Sequence, residues 1–133
     1  MNICLDTRLL EEIASKNEKQ REWLIETYTD PSNHIFLPLI ALTEFISQSL
    51  KKRNEADTNA VVNSFVALNK SAIRFSMAGM NTEIAKEAGK IQYMHHFGIG
   101  DSIIIATARH CKCKFIRTDQ KEFEKVKKTK TQF

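Results

Sequence analysis

At 133 residues with 42% hydrophobic side chains, the chain is long enough for one core and too short for two comfortable domains, so residues 1–133 read as a single domain. Lys and Arg number 20 against 16 Asp and Glu, a net charge of +4 that permits a polyanionic partner without requiring one. The longest apolar run, residues 35–42, is broken by Pro38 and falls far short of a membrane span, while three cysteines without paired Cys-x-x-Cys spacing argue against a disulfide framework or a structural zinc site.

Asp6 and Arg8 arrive too early for a secretory h-region, so the expectation is a cytoplasmic protein with reduced thiols and no membrane partner. Asn2-Ile3-Cys4-Leu5 reads as a buried strand that ends abruptly in Asp6-Thr7, before the helical pattern Leu9-Leu10-Glu11-Glu12-Ile13. Asp6 therefore stands at a strand-to-helix junction, where a helix cap and a site residue are equally good readings. Residues 15–29 carry Trp23, Leu24 and Tyr28 at helical spacing, the single apolar stripe of a surface helix. Asp30-Pro31-Ser32-Asn33 is a turn, and His34 to Leu37 is a second strand closed by Pro38.

The helix from Leu39 to Leu50 gathers Leu39, Leu42, Phe45, Ile46 and Leu50 on one side. Glu44 is its only formal charge and points away from that stripe, which for an isolated helix means solvent. Lys51-Lys52-Arg53-Asn54-Glu55 reads as a solvated helix end. A helix over 57–69 turns Val61, Val62, Phe65, Val66 and Leu68 inward, residues 72–77 alternate as a strand, and a further helix runs from Asn81 to about Met94, closed by His95-His96.

In the stretch from Phe97 to Ala108 the only charge is Asp101, which follows Gly98-Ile99-Gly100 and opens a run of Ile and Ala. An acid placed there is either a helix cap or part of a site. Lys114 to Arg117 forms the last strand, and Asp119 lies just beyond its carboxyl end. Phe123 is expected to return to the core, and the lysines from 125 to 130 form a frayed terminus or a basic arm for phosphates.

Short apolar strands alternating with longer helices predict an α/β fold whose parallel sheet is covered on both faces. In such sheets functional groups collect at the carboxyl edge. Asp6 and Asp119 each follow a strand, Asp101 opens a helix after a Gly-rich turn, and Glu44 lies in the helix after the second strand, so all four acids reach one edge. Four carboxylates together raise each other's pKa values, an objection that a divalent cation removes. Oxygen-only ligands favour Mg²⁺ or Mn²⁺ over zinc, and such an ion activates water and neutralises phosphoryl charge.

Leu5-Asp6-Thr7, Leu42-Thr43-Glu44-Phe45, Gly98-Ile99-Gly100-Asp101-Ser102-Ile103-Ile104-Ile105-Ala106-Thr107-Ala108 and Thr118-Asp119-Gln120-Lys121-Glu122-Phe123 resemble the four signature blocks of the PIN-domain family, and their order and spacing resemble the small VapC-type toxins. The resemblance implies a three-layer α/β/α sandwich with a mostly parallel sheet, usually a homodimer, that cleaves RNA with Mg²⁺ or Mn²⁺. It implies that Asp6, Glu44, Asp101 and Asp119 are the catalytic metal ligands, and that a protein antitoxin restrains the activity. Two positions depart from the family pattern. Arg8 stands where Asn or Ser is commoner, and Arg117 where a Thr commonly precedes the fourth acid by two residues. A housekeeping RNA-processing nuclease and a non-cleaving PIN module that binds RNA or a partner are the alternatives. A receiver-like signalling module would need adjacent acids by the first strand, where Asp6 stands alone.

Overall fold

The computed structural model describes residues 1–71 and 74–117; the expectations placed on Asp119, Phe123 and the lysine tail fall outside the described residues. In chain order the elements are β1 (Asn2–Leu5), α1 (Thr7–Ala14), α2 (Glu18–Thr29), β2 (His34–Pro38), α3 (Leu39–Lys52), α4 (Glu55–Ser71), β3 (Phe75–Ala78), α5 (Thr82–His95), α6 (Ile99–His110) and β4 (Phe115–Arg117). The third strand lies later than the alternation of residues 72–77 suggests.

The strands form one four-stranded sheet in the order β3-β2-β1-β4. Every pairing is parallel, with Ile3 opposite both Ile35 and Phe115, and Leu37 opposite Met77. Parallel neighbours need long crossovers, which is why helices separate the strands. The chain steps from β1 through β2 to β3 in one direction and then returns past β1 to β4. Right-handed crossovers place the helices of these two movements on opposite faces, and the reversal at β1 makes its carboxyl end the switch point of the sheet.

Ile3, Cys4, Leu5, Ile35, Leu37, Phe75 and Ile116 bring the strands into the core. Among the helices, α6 is the most enclosed: Gly100 and every residue from Ser102 to Ala108 are buried, and the helix packs on α3, α5, β1, β2 and β4. A helix buried on all sides must satisfy its polar side chains internally. Ser102 and Thr107 do so by donating to the carbonyls of Gly98 and Ile103, at 2.9 and 2.7 Å. The consecutive isoleucines at 103–105 are poor helix formers by intrinsic preference, and their burial overrides it. All three cysteines are free.

Local chemistry sets most helix ends. Asn17 and Asn81 cap α2 and α5 by accepting from the amides of Gln20 and Ile84. His96, in the left-handed region at φ 57°, terminates α5. The charged stretch after α3 differs from the solvated end expected of it. Arg53 is half-buried, donates to both carboxylate oxygens of Glu11 at 2.8 and 2.9 Å, and reaches Ser15 Oγ at 2.8 Å, tying the end of α3 to α1. The hydrogen-bonded guanidinium of Arg53 holds the Glu11 carboxyl below its ordinary value, and the same bond raises the pKa of Arg53. Among the described residues no helix is long and apolar enough to cross a membrane.

Replacing Arg53 by Met should cost ~1–2 kcal/mol at neutral pH, since the pair is neither fully exposed nor fully buried. Because the folded Glu11 pKa is depressed, this contribution is fully present above the ordinary value of 4.5 and is lost as pH falls through the folded value. Urea unfolding of parent and Arg53→Met at pH 7 and at progressively lower pH should show the gap closing in acid.

Candidate active site

The site is built by three helices that meet beyond the carboxyl ends of β1 and β2. Asp6 immediately follows β1, is 1% exposed, and caps α1 by accepting from the Leu9 amide through Oδ1 at 2.9 Å. Capping uses one of two carboxylate oxygens, so the cap and site readings of Asp6 are compatible. The next residue, Thr7, opens α1 and donates its hydroxyl to Glu44 Oε1 at 2.9 Å. Glu44 is thus half-buried against α1 rather than turned to solvent, because the buried face of α3 is the one carrying Ala41, Leu42, Phe45 and Ser49, which Glu44 flanks, while Leu39 and Leu50 of the expected stripe are exposed.

The far side of the Glu44 carboxylate lies against α6. A Cβ built on Gly100 would fall 2.8 Å from the Glu44 Cδ and 2.9 Å from Oε1, and closer still to Oε2, distances that real Cβ contacts essentially never show. Asp101 follows as the third residue of α6, half-buried in its first turn. It is not the N-cap; that position belongs to Gly98, which supplies no side-chain hydrogen bond. Gly98 caps and Gly100 is helical, so the Gly-x-Gly segment is the start of the helix rather than a turn ahead of it. A carboxylate in the first turn meets the positive end of the helix dipole.

Glu44 is therefore bracketed by the residue after Asp6 and the residue before Asp101. Three acids distant in sequence are brought to one end of the sheet by contacts to their neighbours in the chain. Among the described residues no three His, Cys, Asp or Glu side chains form a group close enough to hold an ion, and Asp119 lies outside the described residues. The donor set itself, carboxylates and a hydroxyl with no His or Cys, suits a hard divalent cation. Gly100 leaves room for the Glu44 carboxylate that any side chain would fill.

A polar groove of ≈ 580 Å³ opens beside Thr7, with Arg8, Glu11, Glu12, Gln48 and Lys52 on its walls. Arg8 is exposed there, on the first turn of α1. Arg117, the second departure from the family pattern, is engaged by α2: its guanidinium lies 4.4 Å from the centroid of the Trp23 ring and donates to Gln20 Oε1 at 3.1 Å. Nothing in the sequence itself marks Thr7 and Gly100 as contributors to the site except their position beside Asp6 and Asp101.

A model of the PIN domain family matches residues 3–129. Among solved structures the chain is similar to VapBC2 from Rickettsia felis bound to a promoter DNA fragment, with a TM-score of 0.75 and 15% identity over 95% of this chain and 93% of that one. It is also similar to VapC20 from Mycobacterium tuberculosis, a toxin that cleaves the sarcin–ricin loop, with a TM-score of 0.72 and 10% identity over 93% and 94% of the two chains. A third similar structure is FitAcB from Neisseria gonorrhoeae, at 0.64 and 19% identity over 95% and 93%. At these identities the likeness is one of fold. No curated protein matches the sequence.

The capping role of Asp6 can be isolated. Asp6→Ala removes the cap and should cost ~1–2 kcal/mol, whereas Asp6→Asn keeps a good capping oxygen and should cost no more than about a few tenths. Urea denaturation of the two variants beside the parent checks this.

Proposed function

Because this chain belongs to the PIN-domain family, we propose that it is a Mg²⁺- or Mn²⁺-dependent endoribonuclease that hydrolyses RNA phosphodiesters, the toxin of a type II toxin–antitoxin pair. The observation that carries the reading is the placement of the Glu44 carboxylate between Thr7 and Gly100, next in sequence to Asp6 and Asp101. Sequence order alone does not require these residues to meet. Their convergence at the carboxyl edge of a parallel sheet, where α/β folds bind ligands, is what a catalytic site needs.

Asp6, Glu44 and Asp101 would hold the ion, joined by Asp119 on the strength of the family resemblance. A divalent cation bound there supplies water activation and neutralisation of phosphoryl charge. The protein's own residues do the positioning: the α1 cap fixes Asp6, the Thr7 hydroxyl orients Glu44, and the buried body of α6 holds Asp101 at the edge. Arg8, exposed on the wall of the neighbouring groove, is suited to hold an RNA phosphate, while Lys52 on the same wall pairs with Glu11 at 3.5 Å. Solved relatives include toxin–antitoxin complexes, which supports a protein antitoxin as partner. A homodimer and a cytoplasmic location complete the proposal.

The second reading is a non-cleaving module that binds RNA or a partner, and the exposed Arg8, where the family more commonly has Asn or Ser, is the observation on its side. Cleavage and ion binding separate the two readings. Purified protein should cut RNA with Mn²⁺ and stop in excess EDTA, and Asp101→Asn should cut about a hundredfold more slowly. Mn²⁺ at a hundred times its dissociation constant should stabilise the parent by about 2.7 kcal/mol in thermal unfolding and leave Asp101→Asn little changed. RNA cleavage that persists in EDTA ends the proposal. Expression that leaves growth unaffected, with cleavage intact, replaces the toxin with the housekeeping processing enzyme.

A further inference from the structure

Gly100 is the second residue of α6, and no glycine among the described residues has a positive φ. The backbone at this position is therefore open to any L-residue, and conformational freedom does not explain the glycine. Space does. The volume that a Cβ would occupy is filled by the carboxylate of Glu44, with Cδ and Oε1 at 2.8 and 2.9 Å from the Cβ position and Oε2 nearer. On its other side the same carboxylate accepts from Thr7.

We infer that Gly100 is a positioning residue: its missing side chain is the seat of the Glu44 carboxylate, and with Thr7 it fixes where that carboxylate stands between Asp6 and Asp101. The ion-binding consequence rests on the proposed metal-dependent nuclease; the position of Glu44 itself does not. The nearest atoms an alanine methyl at 100 meets are the far end of a flexible side chain, which can swing aside. The fold accommodates it, but Glu44 leaves its seat and loses its bond to Thr7.

The effects on stability and on site geometry are consequently separable. Alanine is the better helix former and the lost Thr7 bond offsets that gain, so Gly100→Ala without metal should melt close to the parent's temperature. A metal-free cycle reads the displacement directly: Thr7→Val should lower the urea midpoint of the parent and leave that of Gly100→Ala unchanged, because the hydrogen bond it removes is already gone. If Thr7→Val costs the same in both backgrounds, Glu44 has not moved and the inference fails. A Gly100→Ala protein that does not fold, or melts well below the parent, makes the residue structural and overturns it as well.

The second measurement is the Mn²⁺ concentration that half-stabilises each protein, which should rise about tenfold in Gly100→Ala and fall back partly in Gly100→Ala/Glu44→Asp, where a shorter acid clears the methyl. Parent and Gly100→Ala responding to the same Mn²⁺ concentration overturns the inference. A parent that does not respond to Mn²⁺ removes the nuclease proposal, and the urea cycle alone then decides the role of Gly100.

Discussion

The structure depends on burying α6 from all directions. A helix enclosed by α3, α5 and three strands has no solvated face, and its side-chain hydroxyls bond back to their own carbonyls. A carboxylate on such a helix can only stand near an end. Asp101, in the first turn, is at the end that arrives at the sheet's carboxyl edge. Core packing thereby sets the position of a polar residue, and it does so rigidly, because packed interiors do not deform continuously.

Glu44 inherits this rigidity. Its carboxylate lies on the backbone of α6 at Gly100 and is hydrogen-bonded to α1 at Thr7, so it reports the separation of two helices that β1 and its crossovers hold apart. Asp6 joins the arrangement as a helix cap, a local interaction that fixes a buried carboxylate at the switch point of the sheet. The site therefore draws on three kinds of constraint: burial for Asp101, close approach for Glu44, and backbone capping for Asp6. Arg53 adds a further link between α1 and α3, at the opposite end of α3 from its junction with β2.

Much of this was legible in the chain. The run Asn2-Ile3-Cys4-Leu5 and its abrupt stop at Asp6 mark β1 and the start of α1, because apolar runs and capping residues are local signals. The parallel sheet follows from the alternation of strands and helices, and the four-block pattern agrees with the match to the PIN family. Contacts between elements were not legible. Helical phase sets Glu44 opposite a stripe that includes Leu39 and Leu50, and nothing in residues 39–50 says that packing instead buries Ala41, Leu42, Phe45 and Ser49, with Glu44 at their border. Lys51-Lys52-Arg53 reads as a solvated end because its partner, Glu11, lies forty-two residues earlier than Arg53. Gly100 reads as a turn residue since sequence does not distinguish a glycine chosen for its backbone from one chosen for the absence of a side chain. The Arg117 departure reads as a loss at the site until the ring of Trp23 is seen beneath it.

The β3 edge of the sheet bears on how the chain keeps to itself. Among the described residues β3 pairs only with β2, leaving a row of backbone donors and acceptors along its other side. Parallel sheets assemble slowly, since each pairing waits on a long crossover, and unpaired borders are then open to strands of other molecules. This strand spans four residues, with Arg74 directly before it. A border that short, with a charge at its start, gives a stray strand little to grip, which guards the growing sheet against aggregation.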